Sequence, residues 1–65
     1  MKKYVWHKHD GGKQPFAGVE FVVILKNDGR CWAAFSDCLI WKKTQRLRED
    51  DTIIQFMIID PPKKL

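Results

Sequence analysis

The sequence lacks a long hydrophobic run, and this absence excludes a membrane-spanning helix. The apolar run through Val22 to Leu25 ends at Lys26, whereas a transmembrane helix needs about 18 apolar residues. The basic start Met1-Lys2-Lys3 is not followed by an apolar signal-peptide core, because residues 4–10 alternate between polar and apolar types. We therefore expect a cytoplasmic protein that does not contact a membrane.

Cysteine and histidine are scarce, which argues against a disulfide framework or a metal site. Cys31 and Cys38 are seven residues apart, so a disulfide would close a loop too small to restrict the unfolded chain much. Neither cysteine stands in a zinc-knuckle spacing with His7 and His9. The sequence predicts reduced, structural cysteines and no cofactor. His7 and His9 share one face of a predicted strand, so whether they bind a metal stays open.

The sequence also lacks the residue combinations on which catalysis depends. Ser36 and Asp37 follow a predicted strand without a histidine fixed nearby, and the acidic residues 49–51 form one solvated run. Gly11-Gly12 precedes no helix whose amides would bind phosphate. We therefore predict that the protein is not an enzyme.

What the chain does have is enough apolar sequence for one small folded domain. It contains 65 residues, eight aromatic ones among them, and 45% of it is hydrophobic. A chain of this length hides only about 60% of its unfolded surface, so its core is marginal and self-association is a common supplement. We expect residues 1–65 to form a single β domain with a frayed tail at 61–65.

The segment from Val19 to Ser36 carries the clearest structural signal, a β-hairpin. Two β-branched and aromatic runs flank Asn27-Asp28-Gly29, which is a typical hairpin turn. A three-residue loop with Gly29 in the left-handed conformation pairs Phe21 with Phe35 and Leu25 with Cys31. A two-residue loop would shift every pair by one and exchange the two faces. We prefer the three-residue loop, although it places Lys26 opposite Arg30.

The rest of the chain predicts further short strands. These are residues 3–9 and 52–59, while the apolar patch at 39–41 adds a fifth strand in one alternative. Residues 42–51 are almost wholly charged and predict a loop or one helical turn. The fold class is therefore mainly β, as a small antiparallel meander or SH3-like barrel of four to five strands with at most one short helical turn.

The predicted strands are apolar on both faces, which is unusual for an antiparallel sheet with one face in water. In one alternative the segments of Trp6, Phe16 and Trp41 cover the second face within the chain. In the other, a protein partner or a second copy covers it, forming a homodimer. We predict a contact surface on this face from five residues: Val22, Ile24, Trp32, Ile53 and Met57.

The net charge of +4 is ordinary for a small domain, but basic residues concentrate in one predicted loop. A nucleic-acid site is therefore the alternative to a protein-binding face, because cations interleaved with tryptophans hold single strands in small barrels. The acidic run at 49–51 would cancel much of that loop's field. The candidate residues are Lys42, Lys43, Arg46 and Arg48 with Trp41.

The order of these signals resembles the small domains of unknown function that phages and prophages of enteric bacteria encode. The resemblance comprises the early Trp6, the loop at Gln14-Pro15, the Asp28-Gly29 hairpin and a closing strand that ends in Pro61-Pro62. The chain departs from that pattern at Phe56, where the family has a closing tryptophan, and at Asp60-Pro61-Pro62, where the family has a Leu-Pro run. The resemblance implies an accessory protein in the bacterial cytoplasm and transfers no catalytic residue. We thus predict a non-enzymatic protein that binds a host or phage protein.

Overall fold

The computed structural model describes residues 1–63 and contains one open antiparallel sheet, which confirms the mainly-β class. Lys64, Leu65 and thus part of the predicted tail lie outside the described residues. The strand order is β1-β4-β2-β3, so β2 and β4 are central and β1 and β3 are the edges. The four strands are β1 (His7–Lys8), β2 (Phe21–Lys26), β3 (Cys31–Phe35) and β4 (Ile53–Ile59).

The hairpin between β2 and β3 has the predicted register. Phe21 pairs with Phe35 and Leu25 pairs with Cys31. The Lys26 N–H donates to the Arg30 carbonyl at 2.8 Å, which closes a loop of residues 27–29. Gly29 has φ of +93°, a left-handed conformation that glycine adopts without strain. The local turn residues therefore determine the register.

The last strand lies beside β2, on the side away from β3, and it contains a bulge. Leu25 pairs with Gln55, but the next residue, Lys26, pairs with Ile53 rather than Ile54. One extra residue in β4 reverses the alternation of side chains beyond that point. Ile53 consequently lies on the core side, 2% exposed, and not on the side of Met57 as the alternation predicts.

The first strand is much shorter than the predicted residues 3–9. Tyr4 has φ of +60°, which interrupts an extended chain. Its hydroxyl donates to the Asp60 carboxylate at 2.7 Å, and its N–H donates to the Ile58 carbonyl at 2.8 Å. Lys3 Nζ lies 2.8 Å from the same carboxylate. These bonds attach the N-terminal segment to the end of β4.

The segment between β3 and β4 contains two 3-10 turns, Ser36–Cys38 and Glu49–Asp51. The apolar patch at 39–41 is not a strand; instead, the Trp41 indole N–H donates to the Ser36 carbonyl at 3.0 Å. Residues 42–48 form the predicted loop. No helix within residues 1–63 is long and apolar enough to cross a bilayer.

The core lies on one face of the sheet, around Phe56, which is 1% exposed. The ring of Trp41 meets it edge-on at 5.4 Å between centroids, and the ring of Phe16 lies at 5.9 Å. Both residues come from loops, which therefore cover this face. The buried apolar residues are Val22, Ile24, Trp41, Ile53, Phe56 and Ile58.

Candidate interaction surface

The two faces of the sheet differ in what covers them. Side chains alternate between the faces along each strand, and the paired residues Val22 and Ile58 lie on the side of Trp41. We call this side the covered face. The neighbouring pair, Val23 and Met57, lies on the opposite side, where every side chain of the three long strands keeps part of its surface exposed. We call that side the open face.

The open face is apolar and carries no charged side chain on β2, β3 or β4. Phe21 and Phe35 pack edge-on at one end, with ring centroids 5.0 Å apart, and Phe35 remains 43% exposed. Lys8, next to Gln55, marks the rim at the other end. The face consists of Phe21, Val23, Leu25, Cys31, Ala33, Phe35, Gln55, Met57 and Ile59.

Most of the predicted contact residues lie inside the domain, which corrects that assignment. Val22 and Ile24 are 0% exposed, because the loops of Phe16 and Trp41 pack over them. Ile53 is buried with them through the bulge described above. Of the other two, Trp32 projects to the covered side but stays 40% exposed at the sheet edge, and only Met57 lies on the open face. The apolar alternation along the strands predicts two apolar faces, but it does not indicate which of them the loops cover.

Trp32 lies beneath two cations at the edge of the covered face. Lys26 Nζ lies 5.3 Å from the ring centroid, and the Arg30 guanidinium lies 5.8 Å from it. Their mutual repulsion is offset by Asp51, whose carbonyl accepts from Lys26 at 2.6 Å and whose carboxylate pairs with Arg30. The structure thus accommodates the Lys26–Arg30 pair that the hairpin register requires.

Asp28 belongs to the same group of charged residues, Lys26, Arg30 and Asp51, at the edge of the covered face. Its carboxylate accepts from the Arg30 backbone N–H at 3.0 Å and from the Arg30 guanidinium. These bonds hold the pKa of Asp28 below its usual value. The carboxylates of Asp51 and Asp28 in turn raise the pKa of Arg30. Opposite charges are therefore paired between Arg30, Asp28 and Asp51, which stabilises the turn.

The predicted nucleic-acid residues are brought together only in part. Lys42, Lys43, Arg46 and Arg48 are all exposed, although Lys43 Nζ lies 3.2 Å from Glu49. Trp41 is 6% exposed and sits in the core. Its ring therefore cannot stack on a base, which corrects its assignment to that site.

His7 and His9 share the covered face as predicted, with both rings near Phe56, at 5.3 and 6.3 Å. Nε2 of each ring bonds a backbone carbonyl, that of Lys2 at 2.9 Å and that of Trp41 at 2.8 Å. A carbonyl only accepts, so each Nε2 carries a proton and is not a metal ligand in this arrangement. No group of three or more metal-ligating side chains occurs in residues 1–63.

Comparison with known proteins gives no match to a family model, to a curated protein or to a solved structure. The surfaces of this chain are therefore the basis for inferring its function. The open face presents nine side chains of β2, β3 and β4, none of them charged.

Proposed function

We propose that the protein is a non-enzymatic binding module that docks an apolar protein surface on its open face. The observation that carries this proposal is the contrast between the faces. Val22 and Ile24 are fully buried, while Val23 and Leu25 on the same strand are only partly buried. Contiguous exposed apolar surface is typical of protein interaction sites.

The chemistry of the face indicates what kind of partner it takes. Aromatic and methionine side chains are enriched at interface centres, and lysine and acidic residues are depleted there. Phe21, Phe35 and Met57 fit that composition, with Lys8 at the rim. We infer a protein partner that presents apolar side chains. The resemblance to phage and prophage domains adds the proposal of a host or phage protein in the bacterial cytoplasm.

The test is capture of bacterial proteins by the wild-type chain and by two matched variants, after nuclease treatment. Val23→Glu places a charge at the centre of the open face. Ile40→Glu places the same charge at a position that is 60% exposed and outside the face. We expect the wild type and Ile40→Glu to capture the same protein and Val23→Glu to lose it. Equal capture by Val23→Glu would refute the proposed surface.

Binding of single-stranded nucleic acid by the basic loop is the second candidate. It draws on the exposed cations Lys42, Arg46 and Arg48, and on the exposed rings of Trp6 and Trp32. Such binding falls steeply with salt and quenches tryptophan emission. Titration of an oligonucleotide at low and moderate salt tests it. Replacing all three cations with glutamine should abolish quenching that results from nucleic-acid binding. Absence of any quenching of the wild type at low salt would reject this candidate.

A further inference from the structure

The sheet edge formed by β3 is unprotected, in contrast to the edge formed by β1. Natural sheets protect exposed edges with charge, proline, bulges or very short strands. The β1 edge is only two residues long, and one of them is a lysine, Lys8. The β3 edge spans Cys31–Phe35, with neither charge nor proline, and pairs with β2 without a bulge.

The bonding of the hairpin shows which backbone groups of β3 point outward. The Lys26 N–H donates to the Arg30 carbonyl, and the Ser36 N–H donates to the Glu20 carbonyl, both at 2.8 Å. Bonded and non-bonded pairs alternate in an antiparallel ladder, so even-numbered residues of β3 bond to β2. The N–H and C=O groups of the odd-numbered residues, Cys31, Ala33 and Phe35, therefore face away from the sheet. Within residues 1–63 they have no ladder partner.

We propose that β3 pairs antiparallel with β3 of a second copy, with Ala33 opposite Ala33 on a two-fold axis. This register uses every outward N–H and C=O group of both strands. The two sheets then join into one continuous sheet. This contact uses the edge of the sheet, so it is separate from the open face that the proposed function assigns to a protein partner.

The side chains of β3 argue for a second copy as the occupant, because this register places large beside small. Phe35 comes opposite Cys31 on the open face, and Trp32 comes opposite Ala34 on the covered side. The exposed rings of Trp32 and Phe35 thus each gain a small neighbour. Two alanines meet at the axis.

The charges at the two ends of β3 are compatible with this antiparallel pairing. Arg30 precedes the strand, and its guanidinium is already paired with Asp28 and Asp51, whereas Asp37 follows the strand in the 3-10 turn. Antiparallel pairing places Asp37 of one copy near this paired cluster of the other, whereas parallel pairing would place the two Asp37 carboxylates side by side. The alternation of large and small side chains along β3 therefore specifies a second copy, and the charges at its ends favour the antiparallel orientation.

Light scattering across a concentration series tests the dimer, with two substitutions at one position. Ala33→Pro removes an outward N–H that β2 does not use, and proline is tolerated in edge strands at such positions. We expect it to raise the dimer dissociation constant by about 100-fold, because two central hydrogen bonds are lost. Ala33→Val keeps the N–H and should remain dimeric. A wild type that is monomeric at high micromolar concentration would overturn the proposal.

Cross-linking tests the register, in a background of Cys31→Ser and Cys38→Ser. Ala33→Cys should form a covalent dimer under mild oxidation, since facing residues of a bonded pair have Cα atoms about 5.5 Å apart. Lys8→Cys on the other edge serves as the control and should not. Equal cross-linking of both cysteine variants would overturn edge pairing.

A dimer that survives Ala33→Pro but not Val23→Glu would also overturn edge pairing, because that result would assign the second copy to the open face. Loss of partner capture by Val23→Glu with dimerisation intact separates this inference from the proposed function.

Discussion

The covered and open faces of the sheet are built from the same strands and nearly the same residue types, but they have different environments. Val22 and Ile24 are completely buried, whereas Val23 and Leu25 between and beside them are not. The difference comes from Phe16 and Trp41, which belong to loops outside the sheet. Hydrophobicity alone therefore does not identify the core of so small a domain. The loops that close over a face decide it.

The largest expected effect comes from truncation at the centre of the covered face. Phe56→Ala removes a ring that contacts Phe16 and Trp41, and such changes cost about 3–5 kcal/mol. A domain of 65 residues has about 3–10 kcal/mol of stability at about 0.05–0.15 kcal/mol per residue, so this variant should lose about a third or more of it. Urea unfolding of Val23→Ala on the open face should show a loss below about 1 kcal/mol. Similar losses for both would mean that the open face is covered within the chain.

A smaller effect is expected at the tryptophan that closes the covered face. Trp41→Phe keeps an aromatic ring but leaves the Ser36 carbonyl without the indole donor, a loss of about 1–2 kcal/mol. Trp32→Phe, at a half-exposed ring, is the matched control and should cost less than about 1 kcal/mol. Thermal unfolding followed by circular dichroism gives both values. A more damaging Trp32→Phe would contradict the assignment of Trp41 as the covering residue.

The smallest effect concerns the ion pairs, none of which lies on the open face among the described residues. Hydrogen bonds from Lys3 and Tyr4 hold the pKa of Asp60 below its usual value, and Asp28 is shifted in the same direction. A lowered folded-state pKa contributes stability that is present above the unfolded value near 4 and lost as pH falls through the folded value. These groups are exposed, so the contribution is small.

The unfolding temperature should therefore decrease below about pH 4, and Asp60→Asn should reduce that dependence while Asp50→Asn leaves it unchanged. Asp50 is an exposed carboxylate without an ion-pair partner within residues 1–63. An identical pH profile for the wild type and Asp60→Asn would show that the bond to Lys3 and Tyr4 does not form.

The parts of the fold that depend on neighbouring residues were predictable, and the parts that depend on distant ones were not. The register at Asn27-Asp28-Gly29 follows from local turn chemistry, and the structure confirms it. The position of Ile53 was not predictable, because a bulge against Lys26 interrupts the alternation. The short β1 likewise results from the left-handed Tyr4, whose hydroxyl bonds a residue 56 positions away.

The same limit applies to the candidate site. The sequence predicted two apolar faces correctly, but the choice between them depended on where Trp41 packs. That residue belongs to a segment that pairs with no strand, and its position is fixed by a hydrogen bond to Ser36. The hydrophobic periodicity of a sequence does not predict such a side-chain hydrogen bond. The register of the β2–β3 hairpin determines which side chains share a face. Knowing in addition that Trp41 is buried against one face would have identified the other as the open face.

The brevity of β1 has a consequence for how far this protein can assemble. If β3 is consumed in a two-fold pair, the outer edges of the joined sheet are the two copies of His7–Lys8. A two-residue edge with a lysine is a poor template for another strand. A two-fold contact of this kind closes on itself, whereas head-to-tail contacts continue into fibres. If the proposed pair of β3 strands forms, the unequal edges therefore end edge-to-edge association at two chains and prevent growth into a filament.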